Sequence, residues 1–307
     1  MKKILICLIS MSLLCLPHTQ AQKRFIDFEG AKVWINTLGI ENRKEGQPLI
    51  VFESGLGTPM DNWDKVVEDA ARLTPIFSYD RAGIGKSDAI EEMPTPKNVA
   101  DRLIRILKQQ ELAPPYILIG HSMGGLYVRS FANYYPDLLA GLIIIDPADF
   151  TETHQNKRLY YEVLNWEKSK IDSLIQSFID ARKTGRQHKD ISVQREGEVL
   201  EELREKEFKE VNKYPLPNIP VHILTGGRFD KPFKLRSKKY DEEALFRSKM
   251  KHRLIRWTDV IQSVDKGMLF YSGDAGHYVH YDDPELLISS IRIVLKDYQE
   301  IKDIKRE

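Results

Sequence analysis

The chain has 307 residues, with 46 Lys+Arg against 45 Asp+Glu, 42% apolar residues and 30% charged ones. That composition excludes a disordered, collagen-like or low-complexity chain, and the length suits one large α/β domain with an insertion. The near-neutral charge leaves no electrostatic footprint for nucleic acid, so no such partner is expected.

Lys2 and Lys3 precede an apolar run from Ile4 to Leu16, which is followed by Pro17 and Thr19-Gln20-Ala21. A basic start, a short apolar stretch and small residues at its exit read as a secretory signal peptide over residues 1–21. The run is short for a bilayer span, so no stable membrane insertion is expected after cleavage. An uncleaved anchor or a buried strand is the alternative. Cleavage after Ala21 removes Cys7 and Cys15, the only cysteines, and leaves no thiol for a disulfide, a zinc-thiolate site or a nucleophile. The two-lysine leader looks bacterial, and the expected destination is the periplasm or the medium.

Beyond the leader, short apolar runs alternate with longer helix-like stretches. Strands are expected at Lys32–Thr37, Pro48–Phe52, Pro75–Tyr79, Pro115–Ile119, Gly141–Ile145, Pro220–Leu224 and Gly267–Tyr271. Their Ile, Leu, Val and aromatic content suits strands buried on both faces. Helices are expected at Asp61–Arg72, Thr95–Gln110, Met123–Tyr135, Asp241–Val264 and Pro284–Lys296. The alternation argues for a mainly parallel sheet covered on both faces. Thr151–Pro215 breaks the pattern: 26 of its 65 residues are charged and no strand is visible. It reads as a helical insertion (150–216) into a core made of 22–149 and 217–307. Whether it is a solvated insertion or a lid over a site stays open on composition. Packing is the expected use of its apolar patches Tyr160, Tyr161, Leu164, Trp166 and Ile171, Leu174, Ile175, Phe178.

Gly120-His121-Ser122-Met123-Gly124-Gly125 carries the most chemical information. It joins the strand Tyr116-Ile117-Leu118-Ile119 to a helix, and a serine at such a turn is strained and projects its hydroxyl. Small residues two before and two after let the flanking backbones approach. The Met123 amide, at the helix N-terminus, is a candidate oxyanion donor. An acyl-transfer site also needs a base, a residue orienting the base and a second donor. His277 in Gly276-His277-Tyr278-Val279-His280, just past the last strand, is the candidate base. A His277/His280 metal pair lacks a third ligand nearby and leaves the serine turn unexplained, so no metal and no organic cofactor are expected. His121 and His280 are expected to be structural. For the acid, Asp230 follows the strand Val221-His222-Ile223-Leu224 and precedes His277, giving the order Ser…Asp…His. Asp146, ending Leu142-Ile143-Ile144-Ile145, is the rival; Asp230 is favoured. The second donor is expected from Glu53-Ser54-Gly55-Leu56-Gly57-Thr58 after an early strand, with Leu56 N–H as candidate. Gly85-Lys86-Ser87 ends like a phosphate-binding loop, but Asp80 stands where its first glycine belongs and Pro94 and Pro96 follow, which argues against nucleotide binding.

These segments together resemble an α/β-hydrolase of the large lid-bearing serine hydrolase family, from about Arg24 to Ile301. Pro114–Gly125 is similar to that family's nucleophile segment, and Asp80-Arg81-Ala82-Gly83-Ile84-Gly85-Lys86-Ser87 to its Asp-x-x-Gly-x-Gly-x-Ser loop. The resemblance implies an eight-stranded, mostly parallel sheet with a lid inserted after the sixth strand, where the charged stretch falls. Ser54-Gly55 stands in place of the usual His-Gly. Because the donor is a backbone N–H, the hole should survive that change. Glu53 before it has no family explanation, and a pairing with Arg81 or another buried polar group is expected. Ser122 argues against the members that use a nucleophilic aspartate.

The expected activity is an exported serine hydrolase cleaving a small carboxylic ester through Ser122, His277 and Asp230. Amide, thioester, lactone or carbon–carbon hydrolysis by the same residues, and a ligand-binding protein without turnover, stay open as alternatives.

Overall fold

The structure, a computed structural model, describes residues 22–187 and 189–304; the expected leader lies outside the described residues. The strands are β1 (Gln22–Phe28), β2 (Ala31–Leu38), β3 (Leu49–Glu53), β4 (Ile76–Tyr79), β5 (Tyr116–His121), β6 (Leu139–Ile145), β7 (Val221–Gly226) and β8 (Gly267–Ser272). They form one sheet in the order β1-β2-β4-β3-β5-β6-β7-β8. The β1/β2 and β2/β4 pairs are antiparallel, and every other pair is parallel. The helices are α1 (Val67–Ala71), α2 (Pro96–Gln109), α3 (Met123–Tyr134), α4 (Asn156–Leu159), α5 (Lys168–Arg186), α6 (Ile191–Glu205), α7 (Glu242–Gln262), α8 (Val279–Asp282) and α9 (Pro284–Ile304).

The side-chain period of two divides the central strands between two cores. Val51, Leu118, Leu142, Ile144 and Ile223 face one layer, where Leu103 and Ile106 of α2, Phe131 of α3 and Trp257 of α7 pack on them. Ile50, Phe52, Ile117, Ile119, Ile143 and Ile145 face the other, against Ala70 of α1 and Leu287, Ile291 and Val294 of α9. Covering on both sides is why these strands read as continuous apolar runs. Helix α2 starts where its sequence says it should: Thr95 caps the Asn98 N–H, and Pro96 takes the first position, where no N–H is needed.

All seven expected strands are present, and the structure adds β1 at the sheet edge. This edge strand is largely exposed and carries charges among its apolar residues; Phe25, 49% exposed, packs on Trp34 of β2. The helix expected at Asp61–Arg72 is instead a 3₁₀ turn over Met60–Trp63 followed by the five-residue α1. The charged stretch between β6 and β7 contributes α4, α5 and α6. Tyr160, Tyr161 and Ile171 from it pack against Leu245 of α7. No described helix is long and apolar enough to cross a membrane.

His222 of β7 is fully buried, with Nδ1 2.8 Å from Ser290 Oγ of α9, and burial pushes its pKa down to about 4. The folded protein thus holds this ring neutral where the unfolded chain would protonate it. The contribution is fully present above about pH 6.5 and is lost as pH falls towards 4, at up to about 1.4 kcal/mol per pH unit. Melting temperature followed from pH 7 to pH 4 should therefore fall less steeply for His222→Asn than for the parent. Equal slopes would contradict the buried neutral ring.

Candidate active site

Ser122 stands between β5 and α3 with φ 55° and ψ −114°, a conformation that L-residues rarely hold. Two glycines make the turn possible. A Cβ at 120 would come within 2.4 Å of the Gly124 carbonyl oxygen, and one at 124 within 2.2 Å of the Glu53 carbonyl oxygen. The Ser122 N–H donates to Ile145 O at the end of β6 (2.9 Å). Met123 opens α3, so its N–H belongs to the first turn, which has no acceptor within the helix.

The loop after β3 passes directly beside the serine. A Cβ placed on Gly55 would lie 3.4 Å from Ser122 Cβ and 3.2 Å from His121 Nδ1. The loop is folded by Thr58 N–H on Gly55 O (3.2 Å) and Thr58 Oγ1 on Leu56 O (3.2 Å).

Arg81, buried just beyond β4, organises this loop. Its Nη1 donates to Glu53 Oε1 and to Ser54 O (both 2.6 Å), its Nη2 to Gly55 O (2.7 Å) and its Nε to Glu196 Oε1 of α6 (2.6 Å). The other Glu196 oxygen accepts the Gly57 N–H at 2.7 Å, and Tyr79 Oη donates to Glu53 Oε2 at 2.6 Å. Glu53 and Glu196 are each only 2% exposed. Burial drives the Glu53 carboxyl upward against the pull of Arg81 and Tyr79. One guanidinium thus ties the end of β3, the following loop and the inserted helix α6 into a single body. Val193 of the same helix packs on Gly57. The expected Glu53–Arg81 pairing is present, whereas Glu196 carried no signal in the sequence, being one carboxylate in a highly charged helix.

The neighbouring Asp80 explains the phosphate-loop lookalike. Its carboxylate accepts the N–H groups of Met60 (2.6 Å) and Lys86 (2.8 Å), so the Gly85-Lys86-Ser87 turn wraps around a side chain of the protein.

His277 lies between β8 and α8, its side chain 48% exposed. Its carbonyl contacts His121 Nε2 (2.9 Å), and the two rings are 4.6 Å apart, which sets the loop against the end of β5 next to Ser122. Its Nδ1 is 2.6 Å from Asp146 Oδ2. This corrects the expected choice of acid: the imidazole is held by Asp146 and not by Asp230. Asp146 directly follows β6 with φ 38°, its N–H on Leu224 O (2.7 Å). Its second oxygen accepts Thr225 Oγ1 (2.6 Å), and Arg253 of α7 lies 3.6 Å from that oxygen. Burial pushes the Asp146 carboxyl up. The His277 hydrogen bond, Arg253 and Thr225 outweigh this and leave it below the usual carboxylate range.

Asp230, 57% exposed at its side chain, is instead paired with Arg228. Arg228 also reaches Asp282 (2.9 Å), whose Oδ2 accepts the Gly276 N–H (2.8 Å). Asp230 therefore braces the loop carrying His277 without touching the ring. Asp146 follows β6 directly and Asp230 stands four residues past β7, and both precede His277, so chain order could not separate them; Thr225 and Arg253, which steady Asp146, are the partners the sequence did not disclose.

His280 is buried with Nε2 2.8 Å from Asn62 Nδ2, and its ring packs on Trp63. Burial and the neighbouring His277 push its pKa down to about 3, and the same two causes lower that of His121. Both rings are neutral packing partners around His277, as expected.

Because Arg81 serves four acceptors, Arg81→Met leaves two buried carboxylates without their cation. It should cost about 3 kcal/mol or more in denaturant unfolding. Arg81→Lys should recover only part of this, since one ammonium cannot span the same fork. An unchanged midpoint for Arg81→Met would contradict the hub.

Residues 48–284 match the family model described as the alpha/beta hydrolase fold. Among curated proteins the chain is 35% identical over 99 residues to the uncharacterized protein YqjL of Bacillus subtilis (strain 168), a match covering 32% of this chain and 39% of that one. It is 20% identical over 317 residues to an AB hydrolase superfamily protein of Gibberella zeae, covering 92% of this chain and 97% of the relative. The first of these curated relatives is thus matched over about two fifths of its length. Among solved structures, a serine hydrolase involved in carbazole degradation (CarC enzyme) superposes with a TM-score of 0.56 at 15% identity, covering 90% of this chain and 99% of that one, a likeness of fold. The sheet order, the strained serine turn and the family match over most of the chain together place this protein in the alpha/beta hydrolase family.

Proposed function

We propose that this chain is an exported serine hydrolase that cleaves a small carboxylic ester through Ser122, His277 and Asp146. The observation that carries the reading is the His277 Nδ1–Asp146 Oδ2 contact of 2.6 Å beside a serine held at φ 55° on a strand-to-helix turn. With Nδ1–H committed to Asp146, Nε2 is left as the basic nitrogen.

In the reaction Ser122 Oγ attacks the ester carbonyl carbon while His277 Nε2 takes the hydroxyl proton. The carbonyl oxygen becomes an oxyanion, held by the N–H groups of Leu56 and Met123. Collapse expels the alcohol, which receives the proton from His277. Water, deprotonated by the same ring, then attacks the acyl-enzyme and releases the acid, restoring Ser122. Asp146, kept ionised by its partners, stabilises the imidazolium formed in each half. The segment carrying α4, α5 and α6 acts as a lid, and its Glu196 holds the Gly57 amide so that the loop bearing Leu56 keeps one shape. The leader of residues 1–21 would deliver the enzyme to the periplasm or the medium.

The test is hydrolysis of p-nitrophenyl esters, acetate through decanoate, by the leaderless protein and three variants. Ser122→Ala should abolish turnover, and Asp146→Asn should lower kcat by about four orders of magnitude, while Asp230→Asn stays within about tenfold of the parent. Equal turnover by Ser122→Ala on every ester would sink the proposal. A large loss in Asp230→Asn with none in Asp146→Asn would overturn the assignment of the acid.

A further inference from the structure

A cavity of about 560 Å³ opens between the inserted helices and α7. Its apolar wall is Tyr160, Tyr161, Phe178, Phe229, Leu245 and Phe246. Five basic side chains also line it, and four of them are matched by carboxylates. Lys157 pairs with Glu152 (3.4 Å), Lys231 with Glu242 (2.7 Å), and both Arg182 (2.9 Å) and Arg204 (2.5 Å) with Glu201. Lys249 is different. Among the described residues it has no ion pair or hydrogen bond to a carboxylate, and its ammonium stands 5.9 Å from the centre of the Tyr160 ring.

An ammonium drawn into a partly apolar wall with no carboxylate in contact is costly, and more distant carboxylates offset that only in part. Sequestered Lys, Glu and Asp side chains in protein interiors are normally paired. Here every other cation on the wall is paired, so the unmatched charge is specific to one position. The cavity is of a size that holds a small organic molecule, and its aromatic faces suit a flat or acyl body. We propose that this cavity binds an amphipathic organic anion, an aromatic or acyl body whose carboxylate or sulfonate group pairs with Lys249.

The surrounding charges fit that occupant. Burial pushes the Lys249 pKa down to about 8. Arg253 on the same helix lowers it further, Glu152 and Asp149 from the segment after β6 raise it, and Arg204 of α6 lowers it. An arriving anion meets a protonated lysine at neutral pH and loses that partner as pH rises through about 8. The cavity is also near the proposed reaction site. Arg253, one helical turn beyond Lys249, is the residue that approaches Asp146 to 3.6 Å. The binding claim does not depend on turnover at Ser122.

The probe is 8-anilinonaphthalene-1-sulfonate, an aromatic anion whose fluorescence rises on apolar binding, titrated into Ser122→Ala protein. The uncharged N-phenyl-1-naphthylamine is run beside it. The anion should bind saturably, and Lys249→Met should weaken it by about tenfold or more while the neutral probe changes by less than about twofold. Lys249→Arg should retain anion binding and remove the loss of affinity seen above about pH 8, because a guanidinium stays charged. Phe178→Ser should weaken both probes. Unchanged anion binding in Lys249→Met would overturn the proposal, as would a parallel loss of both probes in a Lys249→Met protein that melts like its parent. Since the titration reads binding by protein lacking the Ser122 hydroxyl, an absence of esterase activity would leave its outcome unaffected.

Discussion

The hydrogen bond between His277 Nδ1 and Asp146 Oδ2 joins parts of the chain 131 residues apart, and most of the site's geometry is arranged around it. It requires β6 to end beside β7, so that Asp146 can also take the Thr225 hydroxyl, and it requires the loop after β8 to return across the sheet edge. The same strand end receives the Ser122 N–H, one residue before Asp146. The positive φ of Ser122 and of Asp146 are therefore two local strains at adjacent strand ends, each maintained by the packing of a sheet covered on both faces. An ionised Asp146 is stabilised from three directions, which is why burial does not neutralise it.

A second buried polar cluster supports the other side of the serine. Arg81 satisfies two carboxylates and two carbonyl oxygens with one planar fork, an arrangement suited to arginine and not to lysine. Its consequence is mechanical. Glu196 belongs to the inserted helix α6, so displacement of that helix would withdraw the acceptor of the Gly57 N–H and one of the carboxylates neutralising Arg81. The insertion and the loop beside Ser122 are thereby coupled through a network in which partial satisfaction is costly. The same insertion, on its α7 side, builds the cavity that Lys249 lines.

What was legible in the sequence was local. Ser122 and its glycines could be read because a strand, a tight turn and a helix follow one another within a few residues. The central strands could be read because burial on both faces leaves unbroken apolar runs. The edge strand β1 lacked that signature, and its half-exposed residues look like a polar segment. Asp146 and Asp230 both satisfied the order expected of the resemblance. What separates them is the turn at Asp146, which aims one carboxylate at the ring, and Arg228, which occupies the other. Glu196 lies 115 residues from Arg81 and resembles its charged neighbours in sequence, so only the packing of α6 distinguishes it.

The most direct measurement is the proton NMR spectrum of the low-field imidazole region for the parent, Asp146→Asn, Asp230→Asn and His277→Asn. A hydrogen bond from imidazole Nδ1 to a buried carboxylate gives a strongly deshielded proton, and its loss in His277→Asn assigns it. This resonance should persist in Asp230→Asn and vanish or move far upfield in Asp146→Asn. Its survival in Asp146→Asn together with loss in Asp230→Asn would assign the imidazole's partner to Asp230 instead.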